Sequence, residues 1–153
     1  MKKLLEKHPR LKDSLLEILH ELQDAEPTHH LSDDALRAVA EYVGIPLAEV
    51  VSTATFYTMY SRTPRGRHII RMCESPPCHL VGAENLVKAV AEHLGVEVGG
   101  TTLDGSMTLE TSSCLGLCAE GPAMMIDDRT YGLLTREKVL AAIAEVRRSD
   151  ASK

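Results

Sequence analysis

Four cysteines fall in two tight pairs, and that pairing constrains the chain more than anything else in it. Cys73 and Cys78 enclose Glu74-Ser75-Pro76-Pro77; Cys114 and Cys118 enclose Leu115-Gly116-Leu117; residues 79–113 separate the pairs. Four thiolates in two clips can hold a zinc ion tetrahedrally or ligate an iron–sulfur cluster, and the residue types alone leave both open. Zinc knuckles usually space their cysteines more tightly, and a thioredoxin-type dithiol asks for C-x-x-C, which is absent. Each clip also frees its backbone. Pro76 and Pro77 stiffen the first loop and remove two amide donors. Gly116 allows the second loop to approach a bulky inorganic group closely.

The chain has 153 residues, room for one domain or for a small domain with an extension. Hydrophobic residues make up 44% and aromatics only 3%, with one Phe and no Trp, which predicts an aliphatic core. A net charge of −5 argues against a nucleic-acid partner, which asks for a basic face, and suits docking on protein. Four cysteines fall far short of the roughly 8–10% of a disulfide-dense secreted scaffold. Leu4-Leu5 is followed at once by Glu6, Lys7 and His8, unlike a signal peptide, and no apolar run approaches the ~18 residues of a membrane span. The expectation is a cytoplasmic protein with no direct membrane insertion, whose reduced thiols are free to bind metal.

The first sixty residues read as helical. Leu11, Leu15, Leu16, Ile18, Leu19 and Leu22 suggest one helix face, stopped by Pro27. Ser32 is a good N-cap, with Asp33 and Asp34 on the positive helix end and Leu31 and Leu36 placed as a hydrophobic staple. Leu36, Val39, Ala40 and Val43 form its buried face, and Gly44 ends it. Pro46 opens a third helix with Leu47, Val50, Val51 and Ala54 inward, running on into Phe56-Tyr57-Thr58-Met59-Tyr60. Thr63-Pro64-Arg65-Gly66 reads as a boundary between a helical extension, 1–63, and a second domain, 64–153.

Beyond it the period changes. Arg67–Met72 predicts a strand, Ala83–Leu94 a helix ended by Gly95, and Met107–Thr111 an alternating strand. Ala123–Ile126 and Arg129–Leu133 predict a hairpin about Asp127-Asp128. Thr135 caps a last helix with Val139, Leu140, Ile143 and Val146 inward, and Arg147–Lys153 reads as a frayed tail. Strand, crossover helix and strand give a parallel pair with a right-handed connection, so both strands end at the same edge. Cys73 closes the first and Cys114 follows the second, which brings the clips together at the carboxyl edge.

The order β-α-β then β-β-α is that of the thioredoxin core. Cys73-x4-Cys78 followed by Cys114-Leu115-Gly116-x-Cys118-x-x-x-Pro122 resembles the thioredoxin-like 2Fe–2S ferredoxins, and most of all the small iron–sulfur subunit of NADH:quinone oxidoreductases, NAD-linked or electron-bifurcating hydrogenases and formate dehydrogenases. Gly44-Ile45-Pro46, Val50 and Ala54-Thr55-Phe56-Tyr57 add to the likeness. The resemblance implies an α+β fold, a helical extension followed by a thioredoxin-like domain, with one 2Fe–2S cluster on Cys73, Cys78, Cys114 and Cys118. It also implies a larger iron–sulfur flavoprotein partner carrying FMN and NAD, with further redox subunits. The expected role is a one-electron carrier that is not catalytic alone, since the chain has no Gly-rich dinucleotide loop. The rival is a zinc-stabilised interaction module.

Other residues have weaker claims. His79 follows a ligand, and a surface histidine is its default reading. His29-His30 reads as a solvated linker, and Met124-Met125 as core. Ser75, Ser112 and Ser113 are placed to donate to cluster sulfur or to cap loops. Arg62, Arg65, Arg67 and Arg71 read as a solvated strand edge, or alternatively a docking patch, and Phe56–Tyr60 as core before interface.

Overall fold

Ser32 stands in extended backbone, and its hydroxyl accepts the Ala35 amide at 3.2 Å, starting the helix Asp33–Val43. Leu31 and Leu36 on either side of the cap are both buried, as a hydrophobic staple requires, and Gly44 closes the helix with φ +79°. In the computed structural model, which describes residues 1–151, this helix is α3 of the first of two compact units, Met1–Arg67. Its companions are α1 (Lys2–Leu5), α2 (Leu15–Ala25) and α4 (Leu47–Phe56). Leu15, Ile18, Leu19 and Leu22 of α2 meet Leu36 and Val39 of α3 and Val50 and Ala54 of α4 in one aliphatic core.

Three expectations fail here for geometric reasons. Leu11 lies outside α2, in extended backbone before a 3₁₀ turn at Lys12–Ser14, and is exposed. Leu5 of the short α1 fills the core instead, and the Tyr42 hydroxyl holds the intervening loop through the His8 carbonyl at 2.7 Å. Leu16, one position from Leu15, is turned about 100° off the buried stripe and is exposed. The third helix stops at Phe56, which lies two positions past Ala54 and so faces solvent, 78% exposed. In that segment Tyr60 is core, its hydroxyl donating to the Leu16 carbonyl at 2.7 Å, and the half-buried Tyr57 packs against the same core, whereas Met59 is exposed.

The second unit begins at His68. Its strands are β1 (His68–Cys73), β2 (Met107–Ser112), β3 (Met124–Ile126) and β4 (Arg129–Tyr131), in the order β2-β1-β3-β4. β1 and β2 are parallel, in register from His68 opposite Met107 to Cys73 opposite Ser112. β3 runs antiparallel to both β1 and β4. The helices are the short α5 (Pro76–His79), the crossover α6 (Ala83–Leu94) and α7 (Arg136–Ala151). Val90 and Leu94 of α6, and Val139, Ala142 and Ile143 of α7, join Ile70, Met72, Met107, Leu109, Met124 and Ile126 in a second core. Three of its members are fully buried methionines, thioether packing in a chain with few aromatics. Met125 is only half-buried.

β2 does not alternate. Met107, Thr108 and Leu109 are all buried because Gly99–Thr102 folds against the strand. Gly99 donates to the Leu109 carbonyl at 2.7 Å, Leu109 donates to the Gly100 carbonyl at 3.0 Å, and the Thr101 and Thr108 hydroxyls meet at 2.7 Å. That segment blunts what would be a bare sheet edge. The hairpin turns at Asp127-Asp128 as expected, with Asp127 at φ +51° and its carboxylate accepting the Ile69 amide at 2.9 Å. Thr135 caps α7, accepting the Lys138 amide at 3.3 Å. The frayed tail is a correction: α7 runs on through Arg147–Ala151, and Asp150 contacts His68, 3.0 Å from Nε2. Residues 152 and 153 of that expected tail lie outside the described residues.

Candidate metal centre

Cys73 is the last residue of β1. Its amide donates to the Ala123 carbonyl and the Glu74 amide to the Ser112 carbonyl, both at 3.0 Å, so the chain leaves the sheet already tied to both neighbours. Ser75 is extended, as a residue before proline should be, and Pro76 starts the single turn of α5. The turn brings Cys78 back, its amide bonded to the Ser75 carbonyl at 2.5 Å. Cys73 and Cys78 are both buried, with Ala83 and Ala123 beside them.

The second clip follows β2 and is open. Cys114 and Cys118 are exposed, with their Sγ atoms 3.8 Å apart. Gly116, at φ +79°, makes the turn between them and donates its amide to Cys114 Sγ at 3.4 Å. The Ser75 hydroxyl donates to the Ser113 carbonyl, tying the first clip to the second, and also lies against the Cys114 thiol. The chain then passes through a 3₁₀ turn at Cys118–Glu120 and the cis Gly121-Pro122 bond into β3. A Cβ on Gly121 would lie 3.2 Å from Val81 Cγ2, a tight contact, and at an ordinary contact distance of 3.5 Å from Cys78 Sγ.

The thiols are electrostatically unequal. Burial, reinforced by the Cys73 side chain, pushes Cys78 up, and a backbone hydrogen bond from Ala123 offsets part of this. The Gly116 amide first, then Cys118 and Ser75, hold Cys114 below the ordinary thiol value. The Cys114 side chain raises Cys118. Among the described residues no three His, Cys, Asp or Glu side chains converge on one point. The thiols come as two pairs. Ligands about 2.3 Å from a tetrahedral centre lie about 3.8 Å from one another, and Cys114 and Cys118 stand at that separation. The donor set and its spacing fit an iron–sulfur cluster.

The other candidates fall outside this centre. His79 is exposed and borders a small cavity with Cys73, Glu74 and Glu84. His29 and His30 are half-buried rather than solvated, and the His30 ring meets the Thr28 hydroxyl at 2.9 Å. The arginine run is solvated only in part: Arg62 and Arg67 are exposed, Arg62 pairing with Asp33 at 2.5 Å, whereas Arg65 is buried and donates to the Met59 carbonyl at 3.3 Å and the half-buried Arg71 pairs with Glu110 at 3.4 Å. Gly121 and Ala123 were not singled out by residue type. The Gly-Pro dipeptide three residues after Cys118 is the signal that points to them.

A family profile described as thioredoxin-like 2Fe-2S ferredoxin matches residues 1–147. The chain belongs to this family. It is 44% identical over 107 residues to an NADH-quinone oxidoreductase subunit of Salmonella typhimurium, covering 70% of this chain and 64% of that one. It is 31% identical over 141 residues to the HndA subunit of the NADP-reducing hydrogenase of Solidesulfovibrio fructosivorans, covering 92% and 81%. The chain thus spans just under two thirds of the first of these relatives. A crystal structure of an NAD+-reducing NiFe hydrogenase in the air-oxidised state superposes with TM-score 0.77 at 24% identity, covering 92% of this chain and 24% of that one, a likeness of fold. The α+β, thioredoxin-like reading of the ferredoxin family therefore holds, and no helix among the described residues is long and apolar enough to cross a membrane.

Proposed function

We propose that this family member carries one electron at a time on a single 2Fe–2S cluster held by Cys73, Cys78, Cys114 and Cys118. The observation that carries the reading is the arrangement of the four thiols as two pairs at one sheet edge, with Cys114 and Cys118 at 3.8 Å. A mononuclear zinc site wants four thiolates around one centre; two pairs suit two irons. When bound, the cluster supplies one-electron redox chemistry. The chain's own groups do the rest. The Gly116 amide donates to Cys114 and stabilises negative charge there, and such a donor raises a cluster's potential. Burial of Cys73 and Cys78 keeps solvent from half of the ligand set.

The unit from His68 onward carries the redox site, and the helical unit, Met1–Arg67, serves assembly. The partner is an FMN- and NAD-binding iron–sulfur flavoprotein, with further redox subunits beyond it. Relatives that are subunits of an NADH-quinone oxidoreductase and of an NADP-reducing hydrogenase support this division of labour. Hydride chemistry stays with the flavin, since this chain offers no nucleotide-binding loop. The test is reduction by NADH, followed by the cluster's visible and EPR spectra. NADH should reduce the cluster when the flavoprotein is present and leave it oxidised when it is absent. Reduction by NADH without any flavoprotein would contradict the reading.

A further inference from the structure

The ladder between β1 and β2 runs one step past its last register pair, where the Glu74 amide donates to the Ser112 carbonyl at 3.0 Å. In a parallel pair every second residue donates to the same neighbour, so the next donor toward β2 would be residue 76. That residue is Pro76, which has no N–H, and Pro77 follows it. Among the described residues no amide of the first clip bonds beyond Ser112. A side chain makes the next link instead. The Ser75 hydroxyl donates to the Ser113 carbonyl, one residue before Cys114. The carbonyl of the same serine accepts the Cys78 amide at 2.5 Å and the His79 amide at 2.9 Å, closing the turn of the first clip. Ser75 thus bonds both clips, one through its carbonyl and the other through its hydroxyl.

We propose that Ser75 is a positioning residue: its hydroxyl takes over where Pro76 ends the backbone ladder, and so sets the spacing of the Cys114–Cys118 clip from Cys73 and Cys78. This rests on the cluster reading and adds how the chain presets the ligand geometry. Leu115 and Leu117 also pack against the group formed by Cys73, Cys78, Ala83 and Ala123. Apolar packing is non-directional and leaves the clip free to slide. A hydrogen bond has a preferred length and angle, and this one acts on the residue next to a thiol. The second clip is the one that needs such a tie, because both of its cysteines are exposed while those of the first are held in buried surroundings.

The test compares Ser75→Ala with Ser75→Thr in the full chain. Threonine keeps the hydroxyl and suits the extended backbone before Pro76, at φ −59° and ψ 152°. In the chain reconstituted without oxygen, iron release to a ferrous chelator is followed by absorbance, alongside the EPR spectrum of the reduced cluster. Ser75→Ala should release iron about five-fold faster, the loss of one neutral hydrogen bond, with shifted g values. Ser75→Thr should restore both. In the metal-free chain, amide hydrogen exchange at residues 114–117 should be about five-fold faster in Ser75→Ala and near wild type in Ser75→Thr. Wild-type behaviour of Ser75→Ala overturns the positioning role, as does a threonine variant that behaves like the alanine one. If Ser75→Ala takes up no cluster, exchange decides: faster exchange at 114–117 supports the role and an unchanged rate overturns it. A wild-type chain that takes up no cluster contradicts the carrier reading, and the exchange comparison still decides the role of Ser75.

Discussion

Cys73 and Ser112 face each other in the last register pair of β1 and β2. Because the strands are parallel, both chains leave the sheet at that point and on the same edge. The first clip begins at one member of the pair, and the second begins two residues beyond the other. The meeting of the two cysteine clips therefore follows from strand direction and register, with local residues adjusting the thiols.

The four cysteines should not respond alike to substitution. Replacing any one by Ser should lose or strongly perturb the cluster. The buried positions Cys73 and Cys78 should also lower the melting temperature of the metal-free chain, because a hydroxyl there needs a partner that the apolar surroundings do not offer; the expected cost is about 1–3 kcal/mol. The exposed positions Cys114 and Cys118 should leave that melt near wild type. Visible spectra and thermal melts of the four variants check both halves.

Gly121 should accept a bare Cβ far better than a branched side chain. Its Cβ position lies 3.2 Å from Val81 Cγ2 and 3.5 Å from Cys78 Sγ. Gly121→Val should cost about 1–3 kcal/mol through overpacking and reduce cluster occupancy. Iron per chain after anaerobic reconstitution is the measurement, and a Gly121→Val protein with full iron and an unshifted melt would contradict the assigned role.

His68 predicts a pH dependence remote from the thiols. Its Nδ1 stands 2.6 Å from Asp127 and its Nε2 3.0 Å from Asp150, so only the imidazolium satisfies both. Asp128, Arg129 and Glu145 line the cavity beside it. Burial alone would lower the His68 pKa, but hydrogen bonds and charge from Asp127 and Asp150 outweigh it and raise the value. A raised folded value means stability fully present below the unfolded histidine pKa of about 6.5 and lost as pH rises through the folded value. His68→Gln should flatten that slope in melts from pH 6 upward, measured as the difference from wild type, and an unchanged slope would contradict the assignment.

Much of this was legible in the sequence because it depends on local chemistry. Ser32, Leu31 and Gly44 mark one helix by capping rules that need no tertiary context, and the order strand, helix, strand predicts a shared edge for the clips. What was not legible depends on distant chain. Periodicity placed Leu11 on a helix face, but Leu5 occupies the core there. Phe56 lies off the stripe of α4 despite being the only Phe in the chain. The full burial of Thr108 needs the returning Gly99–Thr102 segment, and the ordered end of α7 has a partner in His68, 82 residues earlier in the chain.

The two units should separate. A fragment beginning near Thr63 retains every candidate ligand and all four strands, and should fold and take up iron. It should lose partners that the helices hold. Circular dichroism and iron content test the first claim, and co-purification tests the second. A fragment that folds but takes up no iron would show that the helical unit completes the centre.

The central claim concerns what the paired thiols hold. Purified without oxygen, the chain should contain about two irons and two acid-labile sulfides, the composition of a 2Fe–2S cluster on four cysteines. Dithionite should bleach its visible bands and give a rhombic S = 1/2 EPR signal. Stoichiometric zinc with no sulfide in the same anaerobic preparation would contradict the account.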